Sequence, residues 1–398
     1  MNSAWSVLQD RPLDSPLPAA WLRPDRIVLD DQSGAATLRE FARCFGPTGP
    51  VADPDKITIV STVEIESAWD ARRRTHEALQ AFAASRSIHF VHAPGGCLDA
   101  CAIERLSEPG QVIVTGGSHR SEITAQGGAP VRVTPLDLAC ALATGVVWWS
   151  RPPVQRFAAR GPWPIGTTAH DLAILLRSQI RPGAWVDLAL DAAAATPNPV
   201  PTLAALLIRE SVAAGVTIGE STQPVVDHDV ASIELSSLEP MLGFDRRSAV
   251  RASAAPAAPV DRVYIGSCTT GGTPDLRIAA EALAGRRVAI PTAISPATPV
   301  DHERLTTERL HGSDGPTLAE VFESAGCDLA LPGCAGCVNA LADAAGAGLD
   351  ADRPLTVVAT AVANVSTQRQ ARVFTASPVT AARIAISGRI GAESSVRV

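Results

Sequence analysis

Past an irregular, proline-rich stretch over residues 1–24, apolar positions alternate between two rhythms. RIVLD (26–30), ITIVST (57–62), IHFVHA (88–93) and QVIVTGG (111–117) are short apolar runs that predict strands. TLREFARCF (37–45) carries a helical spacing instead. So does the segment from Glu66 to Ala84, where Trp69, Leu79, Phe82 and Ala83 share one face and Arg72–Arg74 point outward. Strands separated by helices predict an α/β fold with a large parallel component.

The same alternation continues. LDLACALATG (136–145) predicts a helix closed by Gly145, and VVWWSRP (146–152) a strand. Trp148 and Trp149 are adjacent, so a strand turns them to opposite sides, and core packing is expected for both. TAHDLAILLRSQI (168–180) and TLAALLIRESVAAG (202–215) predict helices. Residues 246–261 mix alanine, proline and charge without period and predict a linker. Beyond it, RVYIGSC (262–268), RRVAIPTA (286–293), LTVVATAV (355–362) and RVFTAS (372–377) predict strands. LALPGCAGC (329–337) predicts a strand running into a glycine-rich turn. DLRIAAEALAG (275–285), TLAEVFESAG (317–326) and VTAARIAISG (379–388) predict helices. The expected organisation is a first α/β domain over 1–145, a second over 146–245, the linker 246–261, and a third α/β domain over 262–398.

Composition narrows the function classes. With 398 residues, 46% hydrophobic and 19% charged, the chain has material for two or three cored domains and is not a disordered protein. A net charge of −7 argues against non-specific nucleic-acid binding. No apolar run reaches the roughly 18 residues of a membrane helix, and no basic patch precedes an apolar stretch at the N-terminus. The expected compartment is the cytoplasm, with neither nucleic acid nor membrane as partner.

In a reducing compartment the eight cysteines are not a disulfide framework. Three of them stand beside glycines at the ends of predicted strands: Cys268 in Gly-Ser-Cys-Thr, and Cys334 and Cys337 in Pro-Gly-Cys-Ala-Gly-Cys. Strand ends converge over one edge of a parallel sheet, where open α/β folds place their sites. Three thiolates suit a four-iron cluster with one iron left open to act as a Lewis acid on hydroxyl and carboxylate oxygens. A zinc site with Cys327 as fourth ligand, a thioredoxin-like redox pair, and core cysteines in a glycine-rich turn are the alternatives. Cys97 and Cys101, spaced C-x-x-x-C, fit core positions on a helix, with extra ligands or reactive thiols as the other possibility.

At these residues the chain resembles the aconitase superfamily, most like the large subunit of isopropylmalate dehydratase and homoaconitase. DPDKITIV (53–60), PGGCLDACAIERLSEPGQVIVTGGSHRS (94–121), the stretch 141–176, IELSSLEPML (233–242), GSCTTGGTPDLRIAAEALAGRRVA (266–289), AGCDLALPGCAGC (325–337) and FTASPVTAARIAISGRI (374–390) carry the resemblance in collinear order. It implies three α/β domains around a 4Fe-4S cluster held by Cys268, Cys334 and Cys337, with one iron not held by protein. The resemblance also implies a fourth, swivelling domain, expected here either as a separate small subunit, as in isopropylmalate dehydratase, or to be absent.

The departures from the family pattern are many. The Asp-His pair after the DPDK strand falls on Thr62 and Val63, and the GG-x-x-H histidine on Asp99. Asp-Ser-His becomes Gly117-Ser118-His119. The Asn and Arg after the first cluster cysteine fall on Thr270 and Gly272. An acidic position falls near Ala213, with Arg209 in place of the family's asparagine. The Asn-Arg-Asn-Phe-x-Gly-Arg stretch becomes AVANVSTQ (361–368), without its two arginines. Arginine forks grip carboxylates bidentately, and Asp-His pairs place protons, so the usual substrate reader is erased while the cluster platform is kept. His119, Ser118 and Asp99 are the candidate catalytic residues; Thr270, Arg120 and Arg209 are the candidate substrate contacts. The expected function is an iron–sulfur hydro-lyase or isomerase acting on a non-standard hydroxy acid in specialised metabolism. The alternative is a non-catalytic or redox iron–sulfur protein, a sensor, carrier or subunit that has lost dehydratase chemistry.

Overall fold

The computed structural model describes residues 19–63, 70–94, 107–117, 121–195, 199–211, 213–220, 230–244, 247–332, 355–361 and 371–391. The chain divides into two compact units with interleaved segments: 1–158, 181–190 and 213–231 in the first, and 159–180, 191–212 and 232–398 in the second. These units are drawn differently from the boundaries expected at 145, 245 and 261. No helix among the described residues is long and apolar enough to cross a membrane.

The first unit opens with β1 (Ala19–Leu22) and β2 (Arg26–Asp30), then α1 (Gly34–Phe45), β3 (Ile57–Ser61), α2 (Asp70–Ala84) and β4 (His89–His92). β5 (Val112–Thr115), α3 (Ser121–Ala125), β6 (Ala129–Arg132), α4 (Pro135–Thr144) and β7 (Val147–Ser150) follow. Strands β2 to β6 form a five-stranded sheet in the order β4-β3-β2-β5-β6, parallel throughout. All residues of β3 and β5 are buried, the signature of strands covered on both faces. Leu29, Ile59, Val112 and Val114 pack with Phe41, Leu79 and Leu138 from α1, α2 and α4 in one core. Turn chemistry sets the helix ends: Thr134 caps α4 by accepting from Asp137 N at 3.2 Å, Pro135 starts it, and left-handed Gly145 closes it. The register places Ser61 beside His92 and Asp30 beside Val60, so the strand exits lie along one edge.

Next come β8 (Val154–Arg160), α5 (Ala169–Gln179), β9 (Trp185–Leu190), α6 (Val200–Glu210), β10 (Gly215–Glu220) and β11 (Val230–Glu234). Their strands take the order β10-β9-β8-β11. The helix expected over 202–215 therefore stops at Glu210, and Gly215, expected to end it, opens β10.

The second unit is built on a seven-stranded sheet. β12 (Met241–Phe244), β13 (Ser248–Arg251), β14 (Ala258–Pro259), β15 (Arg262–Gly266), α7 (Thr273–Leu283), β16 (Thr292–Ser295), α8 (Pro299–Thr307), α9 (Leu318–Ala325) and β17 (Asp328–Leu329) follow in order. β18 (Leu355–Ala359), β19 (Ala371–Ala376), α10 (Pro378–Ser387) and β20 (Arg389–Ile390) complete it. The sheet order is β13-β12-β19-β18-β15-β16-β17, with β19 through β17 mutually parallel and β12 antiparallel to both its neighbours. Val263, Ile265, Ile294, Val358 and Phe374 from the strands bury against Leu276, Leu283, Phe322 and Ile384 from the helices. The strand expected over 286–293 is shifted: it starts at Thr292, just past Pro291, and runs to Ser295. Only Asp328–Leu329 of the strand expected at 329–337 pairs with β16 among the described residues. The expected linker 246–261 carries two strands, β13 on the sheet edge and β14 paired with β20.

Candidate active site at the strand exits

At the C-terminal edge of the seven-stranded sheet, β15 turns at once into α7. Gly266 sits at φ +89, and a Cβ there would lie 2.2 Å from Ser295 O, so only glycine fits. Ser267 closes the turn: its carbonyl accepts from Gly271 N at 2.7 Å, and its hydroxyl accepts from Thr269 N at 3.0 Å and Thr270 N at 3.2 Å. Thr360, the first residue after β18, ties the neighbouring exit in, accepting from Gly266 N at 2.9 Å and lying 2.8 Å from Thr270 Oγ1. Cys268 rides on this braced turn with its thiol buried, 3.9 Å from Thr269 Oγ1. The chain leaves β17 at the same edge, at Leu329, toward the glycine-cysteine segment.

Thr270 was expected to contact substrate; it is instead fully buried, with its hydroxyl engaged by Thr360 and Ser267. It builds the turn that presents Cys268. Cys334 and Cys337 lie outside the described residues, as do Cys97 and Cys101. Among the described residues no group of three His, Cys, Asp or Glu side chains is set to hold a metal ion. What is described fits a cluster ligand: Cys268 is a buried thiol held at a sheet exit.

Cys327 does not fit as a fourth zinc ligand. It stands one residue before Asp328, which pairs with Ala293, itself level with Tyr264. Cys327 is thus level with Val263, three residues or about 10 Å of strand before the exit of β15 at Gly266. It is buried in the sheet-helix core, and burial pushes its thiol pKa up to about 12. Cys44 is exposed and Cys140 half-buried, both on helices of the first unit.

The five-stranded sheet has its own polar edge. Asp31 accepts from Thr62 N at 3.1 Å and Thr62 Oγ1 at 3.0 Å, with Arg72 Nη2 3.6 Å away. His76, on α2, is buried with Nδ1 2.8 Å from Ser61 Oγ, and its ring lies 4.6 Å from that of His92. His92 Nε2 is 2.9 Å from Val63 O. Burial first, and then the neighbouring His92, hold the His76 imidazole below its usual pKa. Asp30 is fully buried, its Oδ1 accepting from Ser33 N at 2.8 Å and Ser33 Oγ at 2.6 Å. A cleft of about 670 Å³ opens beside it, lined by Ser33, Gly116, Gly117, Arg132 and Trp148 among others. Trp148 is 47% exposed and meets Trp21 edge-on at 5.4 Å, so it is a surface residue and not the core filler expected of it. Trp149 packs against Trp185.

His119, Ser118, Arg120 and Asp99 lie outside the described residues. Arg209 is half-buried in the last turn of α6, about 10 Å of helix rise from Thr202. Thr202 is the residue of that helix whose hydroxyl faces Asp275 at the start of α7. Sequence reasoning passed over Asp30, Asp31, His76 and His92. Signals were present for three of them: paired acids at a strand's end in RIVLDD, and His92 within IHFVH; His76 sits in a helix among charged residues and gave none. Burial of His76 and the pairing of β3 with β4 are what make them a cluster.

Inside the second unit, His170 is fully buried on α5, and neither ring nitrogen has a hydrogen-bond partner among the described residues. It lines a cavity of about 10 Å³ with Arg177, Leu206, Thr360 and Thr375. Burial drives its pKa down to about 3. Its neighbour Asp171 accepts from Met241 N at 2.8 Å and Thr168 N at 2.9 Å, yet burial still pushes its pKa up to about 7.

The family model described as the aconitase family (aconitate hydratase) matches residues 13–190 and 210–388. The chain belongs to the aconitase family. It is 27% identical over 415 residues to the chloroplastic 3-isopropylmalate dehydratase large subunit of Arabidopsis thaliana, covering 93% of this chain and 81% of that one. It is 28% identical over 389 residues to a 3-isopropylmalate dehydratase large subunit of Methanopyrus kandleri, covering 93% and 92%. It is 30% identical over 326 residues to the homoaconitase large subunit of Thermus thermophilus, covering 74% and 73%. The resemblance drawn from the cysteine and DPDK motifs is thereby confirmed, as is the α/β class with parallel sheets. Membership of a family of hydratases and dehydratases gives the chain a hydro-lyase frame.

Proposed function

We propose that this aconitase-family chain is the cluster-bearing component of a hydro-lyase, or of an isomerase that removes and re-adds water, acting on a hydroxy acid other than those its relatives' names specify. In this reading it works in the cytoplasm on a small molecule, closed over by a small swivelling-domain subunit, and touches neither nucleic acid nor membrane. The relatives named above are large subunits, which supports the missing partner.

The observation that carries the reading is the buried thiol of Cys268 on a turn braced by Ser267, Thr270 and Thr360 at a parallel-sheet exit. Cys268, Cys334 and Cys337 would hold a 4Fe-4S cluster. Bound there, it supplies an open iron as a Lewis acid for hydroxyl and carboxylate oxygens. The chain's own residues do the rest. His119, Ser118 and Asp99 are proposed to handle protons, and Arg120 and Arg209 to meet a carboxylate. Support for a non-standard substrate comes from position: Thr62 and Val63 carry neither acid nor imidazole, and Gly272 no guanidinium. A di- or tricarboxylate held by two arginine forks has lost those forks in this chain.

Anaerobic reconstitution with iron and sulfide, followed by a screen of hydroxy acids with and without a small-subunit partner, tests this. Close to four irons and four sulfides per chain are expected, with turnover of at least one hydroxy acid outside the isopropylmalate and homoaconitate types. Cys268→Ala should lower the iron content and bleach the chromophore, whereas Cys44→Ala and Cys327→Ala should keep both. A stable cluster with no turnover of any hydroxy acid would favour the carrier or sensor reading. Iron retained in Cys268→Ala would remove the cluster assignment.

A further inference from the structure

We propose that the small cavity beside His170 is a binding site for one ordered water, and that His170, through this water, is a positioning residue for the turn that carries Cys268. The use of that turn rests on the cluster reading. The positioning itself is tested without a cluster, so the two can fail separately.

The residues concerned all belong to the second unit. One stripe of α5 reaches the cavity: His170, Ala173, Ile174 and Arg177 share a helix face. Thr360 and Thr375 face that stripe. Thr360 follows β18, and Thr375 sits in β19 beside Ala359, the last residue of β18. His170 and Thr360 are each 1% exposed, and Arg177 and Thr375 each 3%, so the polar groups here are withdrawn from bulk solvent. Neither ring nitrogen of His170 has a hydrogen-bond partner among the described residues. Burial keeps the ring neutral, so in either tautomer it presents one donor and one acceptor. A buried donor and acceptor left unmet are costly, and folded proteins meet them. The cavity measures about 10 Å³, which is room for one water. An apolar cavity would stay dry, but a polar one holds a water that finds roughly two to four partners.

The partners are at hand. The Thr360 hydroxyl accepts from Gly266 N at 2.9 Å and meets Thr270 Oγ1 at 2.8 Å, which leaves it room for one further hydrogen bond. Thr375 Oγ1, which accepts from Arg177 Nη2 at 2.7 Å, stands at the same cavity, and His170 adds its ring nitrogen. The water therefore joins α5 to the hydroxyl that ties the exit of β18 to the turn after β15. Gly266, Ser267 and Thr270 frame Cys268 in that turn, so a hold on Thr360 is a hold on the thiol. One ordered water is not bulk solvent, and the imidazole stays neutral with it in place.

A high-resolution crystal structure of the full chain tests the water, and thiol alkylation of the cluster-free full chain tests the positioning. The wild type should show one ordered water within hydrogen-bonding reach of a His170 ring nitrogen and of Thr360 Oγ1. An empty cavity would overturn the proposal, whatever the variants do. Iodoacetamide labelling read by peptide mass spectrometry then compares Cys268 with Cys327, a buried thiol of the same unit outside the turn. In His170→Leu, or in His170→Phe should the leucine variant not fold, Cys268 should react at least ~10-fold faster than in the wild type while Cys327 keeps its rate. His170→Gln, whose amide also offers a donor and an acceptor, should keep both the water and the slow rate. A merely structural role predicts that any loosening reaches Cys268 and Cys327 alike. That result would overturn the positioning, as would an unchanged Cys268 rate in the apolar variants, or a glutamine variant that reacts as fast as they do. None of these readouts uses turnover or iron, so a chain without hydro-lyase activity would leave the proposal standing.

Discussion

Single residues in this chain do their work through burial. His170 is the clearest case: fully buried and with no hydrogen-bond partner among the described residues, its imidazole is held neutral, burial driving its pKa down to about 3 from the ordinary 6.5. The unfolded chain takes up a proton below pH 6.5 and the folded chain does not, so this residue's contribution is fully present above pH 6.5 and is lost as pH falls toward 3. Asp171 acts with the opposite sign. Its folded pKa, pushed up to about 7 from 3.8, makes the folded state hold a proton that the unfolded state releases, so its contribution fades as pH rises through that window. Comparison with His170→Gln isolates the imidazole. Between pH 7 and pH 5 the wild type should lose on the order of 2 kcal/mol relative to the variant, measured by urea unfolding at each pH. Equal losses in both proteins would show that His170 is solvated. Cys327 shows burial deciding in another way: inside the core its thiol is raised to about 12, so it stays protonated and packs as a small apolar side chain.

At the scale of elements, helix starts are where local sequence and site architecture meet. Thr298 caps α8 by accepting from Asp301 N at 2.9 Å, and its hydroxyl donates to Asp301 Oδ2 at 2.7 Å. The other oxygen of Asp301 crosses to the start of α7, accepting from Thr273 N at 2.9 Å and Thr273 Oγ1 at 2.7 Å. One carboxylate thus fixes the first turns of the two helices that follow β15 and β16. Thr298→Ala should cost about 1 kcal/mol, the usual value of an N-cap. Asp301→Ala should cost more, about 2 kcal/mol, because it orphans donors on both helices. Denaturant midpoints check the order; equal costs would mean that the link to α7 contributes nothing. The helix α8 was not among the elements expected from the sequence, although Thr298-Pro299, like Thr134-Pro135 at α4, places a cap and a proline at the helix start. The β10 strand was not legible, because VAAG continues the apolar helical pattern past Glu210 and only pairing with β9 ends it.

For the whole molecule, interleaving has a consequence. The second unit draws its α5 and α6 from 159–180 and 191–212, far from its sheet in sequence. Arg177 Nη2 donates to Thr375 Oγ1 at 2.7 Å, and Asp171 accepts from Met241 N at 2.8 Å, so α5 satisfies polar groups of β19 and β12. A fragment of residues 232–398, which keeps the seven-stranded sheet and all three candidate cluster cysteines, should therefore show no cooperative thermal transition by circular dichroism. A sharp transition in that fragment would mean that α5 and α6 are dispensable to the fold.

The sequence by itself determined the alternation of strands and helices, the glycine that closes α4, the aconitase resemblance and the exit position of Cys268. These follow from periodicity, turn residues and short motifs, which act over a few neighbours. Tertiary structure alone decided that Thr270 is sealed beneath Thr360, that Cys327 lies a strand's depth from Cys268, and that the Asp30 carboxylate occupies the space above Gly117. Each depends on which strand lies next to which and in what register. That is settled by packing between residues tens of positions apart, and no local pattern carries it.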